Sequence, residues 1–412
     1  VDFDHSDKVK ALQERVAAFM QDHVIPAETP IAEWFSANRD EWGAAPMLEP
    51  LKEEAKRQGL WNLFLPVDSD KRGAGLTNLE YAPLAEITGW SPTIGPEALN
   101  CAAPDTGNME ILSRYGSPEL QERWLVPLLA GEIRSCFSMT EPAVASSDAN
   151  NIALRIDDAG DSWVLNGRKW WSSAALRREN KVALVMGVTD PDAEVGKRHS
   201  LVVVPMDTPG LTVVRSTTVF GFDDRHEGGH GVIDYVDVRV PKANLLGERG
   251  GGFAVAQSRL GPGRIHHCMR LIGMAERAVA MMTDRAKGRV TWGLPVADQG
   301  IFQTWLADAR IHIDAARLVV LKAAFTMDTR GNKEARHEIA AAKILVPHMA
   351  RDVIDRAIQT FGGAGVSSDF ALSYLYATAR YLQIADGPDE VHRRSLARSE
   401  LRREPLLKVS SS

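Results

Sequence analysis

The hydrophobic period changes twice along this chain, and those changes restrict its fold more than any single motif does. Near the N-terminus Val9, Leu12, Val16 and Phe19 recur at three- and four-residue spacing, which places one apolar stripe on a helix. "MLEPLKEEAKRQGL", "LEYAPLAEITGW" and "SPELQERWLVPLLAGEI" continue that period, with Gly59 and Gly131 as stops and Ser117-Pro118 as a start. Then the pattern becomes strand-like: "DSWVLNGRKWWSS", "KVALVMGV", "SLVVVPM", "LTVVRS" and "GVIDYVDVRVP" are short runs rich in Val, Trp and Tyr. "GDS", "TDPD", "DTPG" and "DDRHEGGHG" separate them as turn material. From about residue 250 long helical patterns return. The first is interrupted near Gly261 to Gly263; the second puts Phe302, Leu306, Ala309 and Ile313 on one face; the third is a helix or helix pair affected by Pro347. We therefore expect an α+β fold with a helical domain over 1–134, a β domain over 135–247 and a second helical domain over 248–412. A chain of 412 residues is long enough to give each its own core.

Several function classes fit poorly. No long helices separate the strands and no strand–GxGxxG–helix unit occurs, so a parallel dinucleotide-binding sheet is not expected. The net charge is −6, with both signs mixed and no basic arm, which argues against nucleic acid. Cys101, Cys136 and Cys268 lack metal-ligand spacing, and His266 and His267 are adjacent rather than four apart, so no metal site is expected. The same cysteine usage fits a reducing compartment. The first residues have neither the apolar run of a signal peptide nor the acid-poor bias of a transit peptide, and no apolar run reaches transmembrane length. The expectation is a cytoplasmic location.

Four separated pieces, in order, resemble the acyl-CoA dehydrogenases: "CFSMTEPAVASSD" (136–148), "LNGRKWWSS" (165–173), "RVTWG…Q" from Arg289, and "FGGAG…IADGPDEVHRR" (361–394). "VIDYVDVRVPKANLLGERGGGF" is similar to that family's exit from its β domain. The N-terminal "LEYAP…GPEALNCAAPDTGNMEIL" resembles the branch in which some vertebrate members carry an additional kinase-like domain. The resemblance covers nearly the whole chain. It implies an N-terminal helical domain, a central β-barrel-like domain and a C-terminal helical bundle. It also implies FAD, an acyl-CoA thioester substrate, electron-transfer flavoprotein as acceptor, and assembly as a homodimer or homotetramer.

By that resemblance Phe137, Met139 and Thr140 lie against the flavin, and Thr140 can both donate to and accept from its polar edge. Trp171 is the tryptophan beside the flavin rings, while Trp170 is equally well read as β-domain core. Ser173 is the hydroxyl near flavin N5. Arg289 reaches the pyrophosphate of a neighbouring subunit's FAD, as suits its multidentate head. Gln299, Gly362, Gly363 and Gly365 belong to the same shared site, the glycines allowing close backbone approach. "AVASSD" departs from the family's usual "GAGSD", so Ser146 and Ser147 are both open as contacts to substrate. Arg264 is structural or near the substrate pocket. Ala174 stands where many relatives have Asn.

Asp386, in "ADGPDE", has two readings. Asp-Gly and Gly-Pro are ordinary turn steps, so it can simply shape the turn before Pro388. By resemblance its position is that of the glutamate that removes the substrate α-proton. The family's other placement of that base falls near Gly263, which has no side chain. Asp386 is then the expected base, with Gly387 beside the thioester and the Asp386 backbone N–H as a donor to the carbonyl. Asp389 and Glu390 read as the acidic start of the last helix, and His392 as solvated or phosphate-facing. Together these readings give α,β-dehydrogenation of an acyl-CoA to trans-2-enoyl-CoA. The alternatives are a flavin oxidase or monooxygenase on the same scaffold, or a non-catalytic FAD-binding assembly subunit.

Overall fold

In a computed structural model, which describes residues 4–67 and 69–403, the chain forms two compact units, Val1–Arg277 and Ala278–Ser412. The first opens on α1 (Asp7–Phe19), capped by Ser6, whose side chain accepts from Val9 N–H; a π turn (Met20–Val24) leads into α2 (Ile25–Ala37). The predicted stripe is the buried one, through Val9, Val16 and Phe19. Next come α3 (Leu48–Arg57), α4 (Asn78–Thr88), α5 (Ile94–Ala98) and α6 (Asp105–Tyr115). A capping box fixes the start of α4: Thr77 accepts from Glu80 N–H while Glu80 accepts from Thr77 N–H. Ser117 caps α7 (Pro118–Leu120), and after a π turn α8 (Val126–Ala130) ends on left-handed Gly131. Gly59, too, has a positive φ of 64°. Both predicted stops thus use the conformation glycine permits.

The strands are β1 (Arg134–Ser138), β2 (Arg155–Asp158), β3 (Ser162–Ser173), β4 (Asn180–Val188), β5 (His199–Pro205), β6 (Leu211–Thr217), β7 (His230–Pro241) and β8 (Leu245–Leu246). They lie in the order β6-β7-β3-β2-β4-β5-β8, with β1 added parallel to β4. The inner face packs Trp163, Leu165, Val185, Val202, Val204, Ile233 and Tyr235 into one core.

The barrel-like expectation is incorrect: the sheet is open. Closure needs the terminal strands to pair, and among the described residues β6 bonds only to β7 and β8 only to β5. The pairing of β8 is two residues long, and β2 meets β4 through the single pair Arg155–Val188. Alternation along a strand reports which face is wet, not whether two distant edges meet.

Helix α9 (Gly252–Gly288) follows, and it is continuous through Pro262, so the predicted interruption at Gly261–Gly263 is absent. Inside the first unit it crosses the end of α4 at two glycines. A Cβ on Gly273 would stand 1.8 Å from the Glu86 carbonyl oxygen, and one on Gly89 would stand 2.1 Å from the Arg270 carbonyl oxygen. Both obstacles are backbone, which no rotamer change relieves. We expect G273A to destabilise the protein by about 1–3 kcal/mol in denaturant unfolding, although alanine is the better helix former.

The second unit contains the hairpin β9 (Val290–Thr291) and β10 (Leu294–Pro295), then α10 (Gly300–Arg330), α11 (Arg336–Phe361), α12 (Leu372–Tyr381) and α13 (Asp389–Glu400). Helix α11 runs unbroken through Pro347, so it is one helix rather than a pair. It is the hub of this unit, packing on α10, α12 and α13.

Candidate active site

A bulge in β3 sets the candidate site residues of the first unit. Lys169 pairs with Ile233 and Ser172 with Gly231, so Trp170 and Trp171 together oppose the single residue Val232. Such an insertion turns side chains away from regular alternation. Trp171 takes a φ of 53°, rare for an aromatic residue, and its ring remains 41% exposed. The neighbouring Trp170 is half-buried and meets it edge-on.

The segment after β1 is fastened to this bulge. Trp170 N–H donates to the Thr140 carbonyl at 3.0 Å, and Thr140 Oγ1 donates to the Trp170 carbonyl at 2.8 Å. Beneath them the buried Lys169 donates to the Met139 carbonyl at 2.7 Å and to Glu141 Oε1 at 2.8 Å. Glu141 also accepts from the N–H groups of Ala153 and Leu154, which makes it a structural residue. Burial pushes the Lys169 ammonium down to about 8 against the pull of Glu141. Nothing in the sequence marked this lock beyond a lysine between strand residues.

Phe137 lies under the guanidinium of Arg259, 4.1 Å from ring centre to Cζ, and Arg259 also bonds Asn108 at 2.9 Å. Ser146 serves its own turn, accepting from Glu141 N–H and donating to the Glu141 carbonyl, whereas Ser147 is exposed. Arg264 is half-buried on α9. Ser173 bonds His230 Nδ1 at 2.9 Å, a partner that sequence reasoning missed because it took 223–231 only as turn material.

In the second unit Arg289 is exposed at the base of a hairpin whose turn, Trp292-Gly293, has both φ values positive (52° and 79°). Trp292 is 94% exposed at its tip. Gln299 starts α10, and its side chain donates to the Thr291 carbonyl at 3.3 Å, bracing the hairpin. The three predicted glycines differ in kind. Gly362 has a φ of 63°, and a Cβ on Gly365 would stand 2.6 Å from the Ile358 carbonyl oxygen, so the fold itself requires both. Gly363 faces open space and has no such internal reason.

Asp386 follows α12 in a loop that the buried Lys343 fastens by donating to the Leu382 carbonyl. It is half-buried, with a φ of 57°, and Gly387 follows at 105°. Asp389 is buried in the first turn of α13 and held at 2.5 Å by His348 Nε2, which ties α13 to α11. Glu390 is exposed. His392 is buried, not solvated as expected, because it lies on the inward face of α13. Among the described residues no His, Cys, Asp and Glu group could hold a metal ion, and no helix is long and apolar enough to cross a membrane.

Comparison with known proteins decides the family. Residues 6–132, 136–230 and 250–401 match the N-terminal, middle and C-terminal domains of acyl-CoA dehydrogenase. Over 405 residues the chain is 56% identical to the probable acyl-CoA dehydrogenase FadE2 of Mycobacterium tuberculosis, covering 98% of each. The chain belongs to the acyl-CoA dehydrogenase family. It is 52% identical to acyl-CoA dehydrogenase family member 10 of Mus musculus, across 97% of this chain but only 37% of that much longer protein. Relatives of the branch that the N-terminal motifs indicated thus match, and no kinase-like domain lies among the described residues. The fold matches a Mycobacterium abscessus structure assigned to the acyl-CoA dehydrogenases, with a TM-score of 0.93 and 48% identity over 97% of this chain and 99% of that one.

This member of the acyl-CoA dehydrogenase family has residues that suit the flavin implied by its sequence motifs. An exposed indole set by a bulge offers a flat face, and the exposed Arg289 and open Gly363 are of the type that phosphate oxygens and close backbone contact demand.

Proposed function

We propose that Asp386 is the base that takes the α-proton from the acyl-CoA, yielding a trans-2-enoyl-CoA. The observation that carries this reading is the pair of successive left-handed residues, Asp386 and Gly387. Strained backbone of this kind concentrates where a side chain is being aimed. Asp and Asn are among the few side chains that tolerate it, which accounts for an aspartate where many relatives carry the longer glutamate. Turn residue and base are then one role rather than two. Asp389, the nearest rival, lies buried in the first turn of α13, beyond this turn.

FAD, when bound, supplies the acceptor for the hydride that leaves Cβ. Trp171, Phe137, Met139, Thr140 and Ser173 would hold its ring system; Arg289, Gln299, Gly362, Gly363 and Gly365 would serve its phosphate portion in a neighbouring subunit. That sharing makes a homodimer or homotetramer the working form. Gly387, Arg264 and the exposed Ser147 would line the substrate path, with Ser146 shaping the turn beside it. The Asp386 backbone N–H would polarise the thioester carbonyl and so acidify the α-carbon. Electron-transfer flavoprotein would reoxidise the enzyme.

Anaerobic titration with short, medium, long and branched acyl-CoAs, followed through the flavin spectrum, tests the reading. Bleaching by one class is expected; silence across the panel with FAD tightly bound would contradict it. Rapid reaction of the reduced enzyme with oxygen would favour an oxidase. Truncating Trp171 to alanine should weaken FAD by at least about fivefold, measured as the Kd of the apoprotein for FAD, because an aromatic contact is worth about 1 kcal/mol beyond its area.

A further inference from the structure

Behind Trp171 lies a chain of three hydrogen-bonded side chains, of which the reaction as described uses only Ser173. Ser173 and His230 are directly paired across β3 and β7, and Ser173 Oγ lies 2.9 Å from His230 Nδ1. On the far side of the imidazole, His230 Nε2 lies 2.8 Å from Asp224 Oδ2. The imidazole is also 5.4 Å from the Trp171 ring, centre to centre. Its backbone is fixed on both sides: His230 N–H donates to Ser216 Oγ at 3.0 Å, and Thr217 Oγ1 donates to the His230 carbonyl at 3.0 Å.

Asp224 is presented by an unusual turn. Its φ is 50°, and its carbonyl accepts from both Glu227 and Gly229. The side chain is buried, yet Oδ1 has no hydrogen-bond partner among the described residues. A buried carboxylate with one oxygen unsatisfied is a costly way to hold a turn. Stability alone does not account for it.

Hydrogen-bond roles follow from the order of the groups. A carboxylate only accepts, so Nε2 carries the imidazole proton. In the neutral ring Nδ1 is then an acceptor directed at Ser173. The hydroxyl can place its hydrogen on Nδ1 and turn a lone pair outward, or turn its hydrogen outward and leave Nδ1. We propose that Asp224 and His230 are positioning residues that allow the Ser173 hydroxyl to change from donor to acceptor as the flavin is reduced. The proposal rests on Ser173 facing flavin N5, as in the functional reading above. A bound flavin would accept a hydrogen bond at N5 when oxidised and offer an N–H there when reduced, so Ser173 as its partner would have to reverse. With Nδ1 available, Ser173 reverses by rotating one O–H bond, and no proton enters or leaves the protein. Nδ1 therefore favours the reduced state, and its loss makes reduction harder.

The experiment is a double-mutant cycle on the FAD-loaded protein, reading the flavin midpoint potential together with the FAD Kd. S173A and H230N should each shift the potential to a more negative value; H230N does so with little change in Kd, whereas S173A, which removes a contact to the flavin, also raises Kd. D224N should shift it in the same direction, because an amide N–H facing Nε2 moves the imidazole proton to Nδ1. In the S173A background H230N should produce no additional shift, since its effect passes through the hydroxyl. An equal H230N shift with and without Ser173, or no shift while FAD stays bound, would overturn the proposal. No effect of S173A alone would overturn it by a different route, showing that Ser173 does not face N5 while leaving Asp386 as base untouched. H230Q replaces H230N in the same cycle should the latter fail to retain FAD.

Discussion

Asp386→Asn slows reduction of the flavin by acyl-CoA by roughly 10²–10⁴-fold, the usual worth of a positioned base, while FAD remains bound. Asparagine is the informative replacement. It is similar in size and tolerates the left-handed backbone at a φ of 57°, so the turn survives and only the proton acceptor is lost. Rapid mixing under anaerobic conditions reads the rate directly. D389N gives the contrast: it weakens the contact with His348 that ties α13 to α11, so its main effect falls on unfolding rather than on the rate of bleaching.

The largest effect on stability is expected at Glu97. This buried carboxylate on α5 lies 2.7 Å from Arg177 Nη2 and 3.3 Å from Lys52 Nζ, and also accepts from Arg134. Arg134 in turn bonds Asn100 at 2.5 Å, so helices and sheet of the first unit converge on one anion. Burial alone would raise the Glu97 pKa; the charges of Arg134, Arg177 and Lys52 overcome that and hold it well below 4.5. E97Q leaves three buried cations around a neutral amide and should cost about 3–5 kcal/mol, read as a lower denaturant midpoint at neutral pH. The sign with pH follows. A carboxyl with a depressed folded-state pKa contributes fully above its unfolded value near 4.5 and loses that contribution as pH falls toward the folded value. Wild type should therefore lose stability on acidification below about pH 4.5 more steeply than E97Q.

Much of this was legible in the sequence because local chemistry and tertiary context agree. The turn residues at Gly59, Ser117 and Gly131 act at the positions their types predicted. The five strand-sized runs are β3 to β7. Short strands with little pattern of their own, β1 and β8, were invisible, since they exist only through β4 and β5. Openness of the sheet was invisible for the same reason: it depends on whether β6 and β8, distant in sequence, meet. Pro262 and Pro347 misled because a proline within a long, packed helix costs less than the burial around it returns. Of the proposed site residues, Trp171 and Asp386 were marked by motif, but the bulge and the left-handed turn on which they stand were not. Asp224 and His230 were hidden in a run whose glycines spoke only of turns.

The claim that Asp386 moves the α-proton is tested most directly by α-hydrogen exchange. FAD-loaded protein is incubated in D2O with an acyl-CoA analogue carrying sulfur in place of Cβ, which has no β-hydrogen to lose, and the α-proton signal is followed by NMR. The account predicts exchange in wild type and D389N and none above background in D386N. Exchange in D386N at the wild-type rate would contradict it.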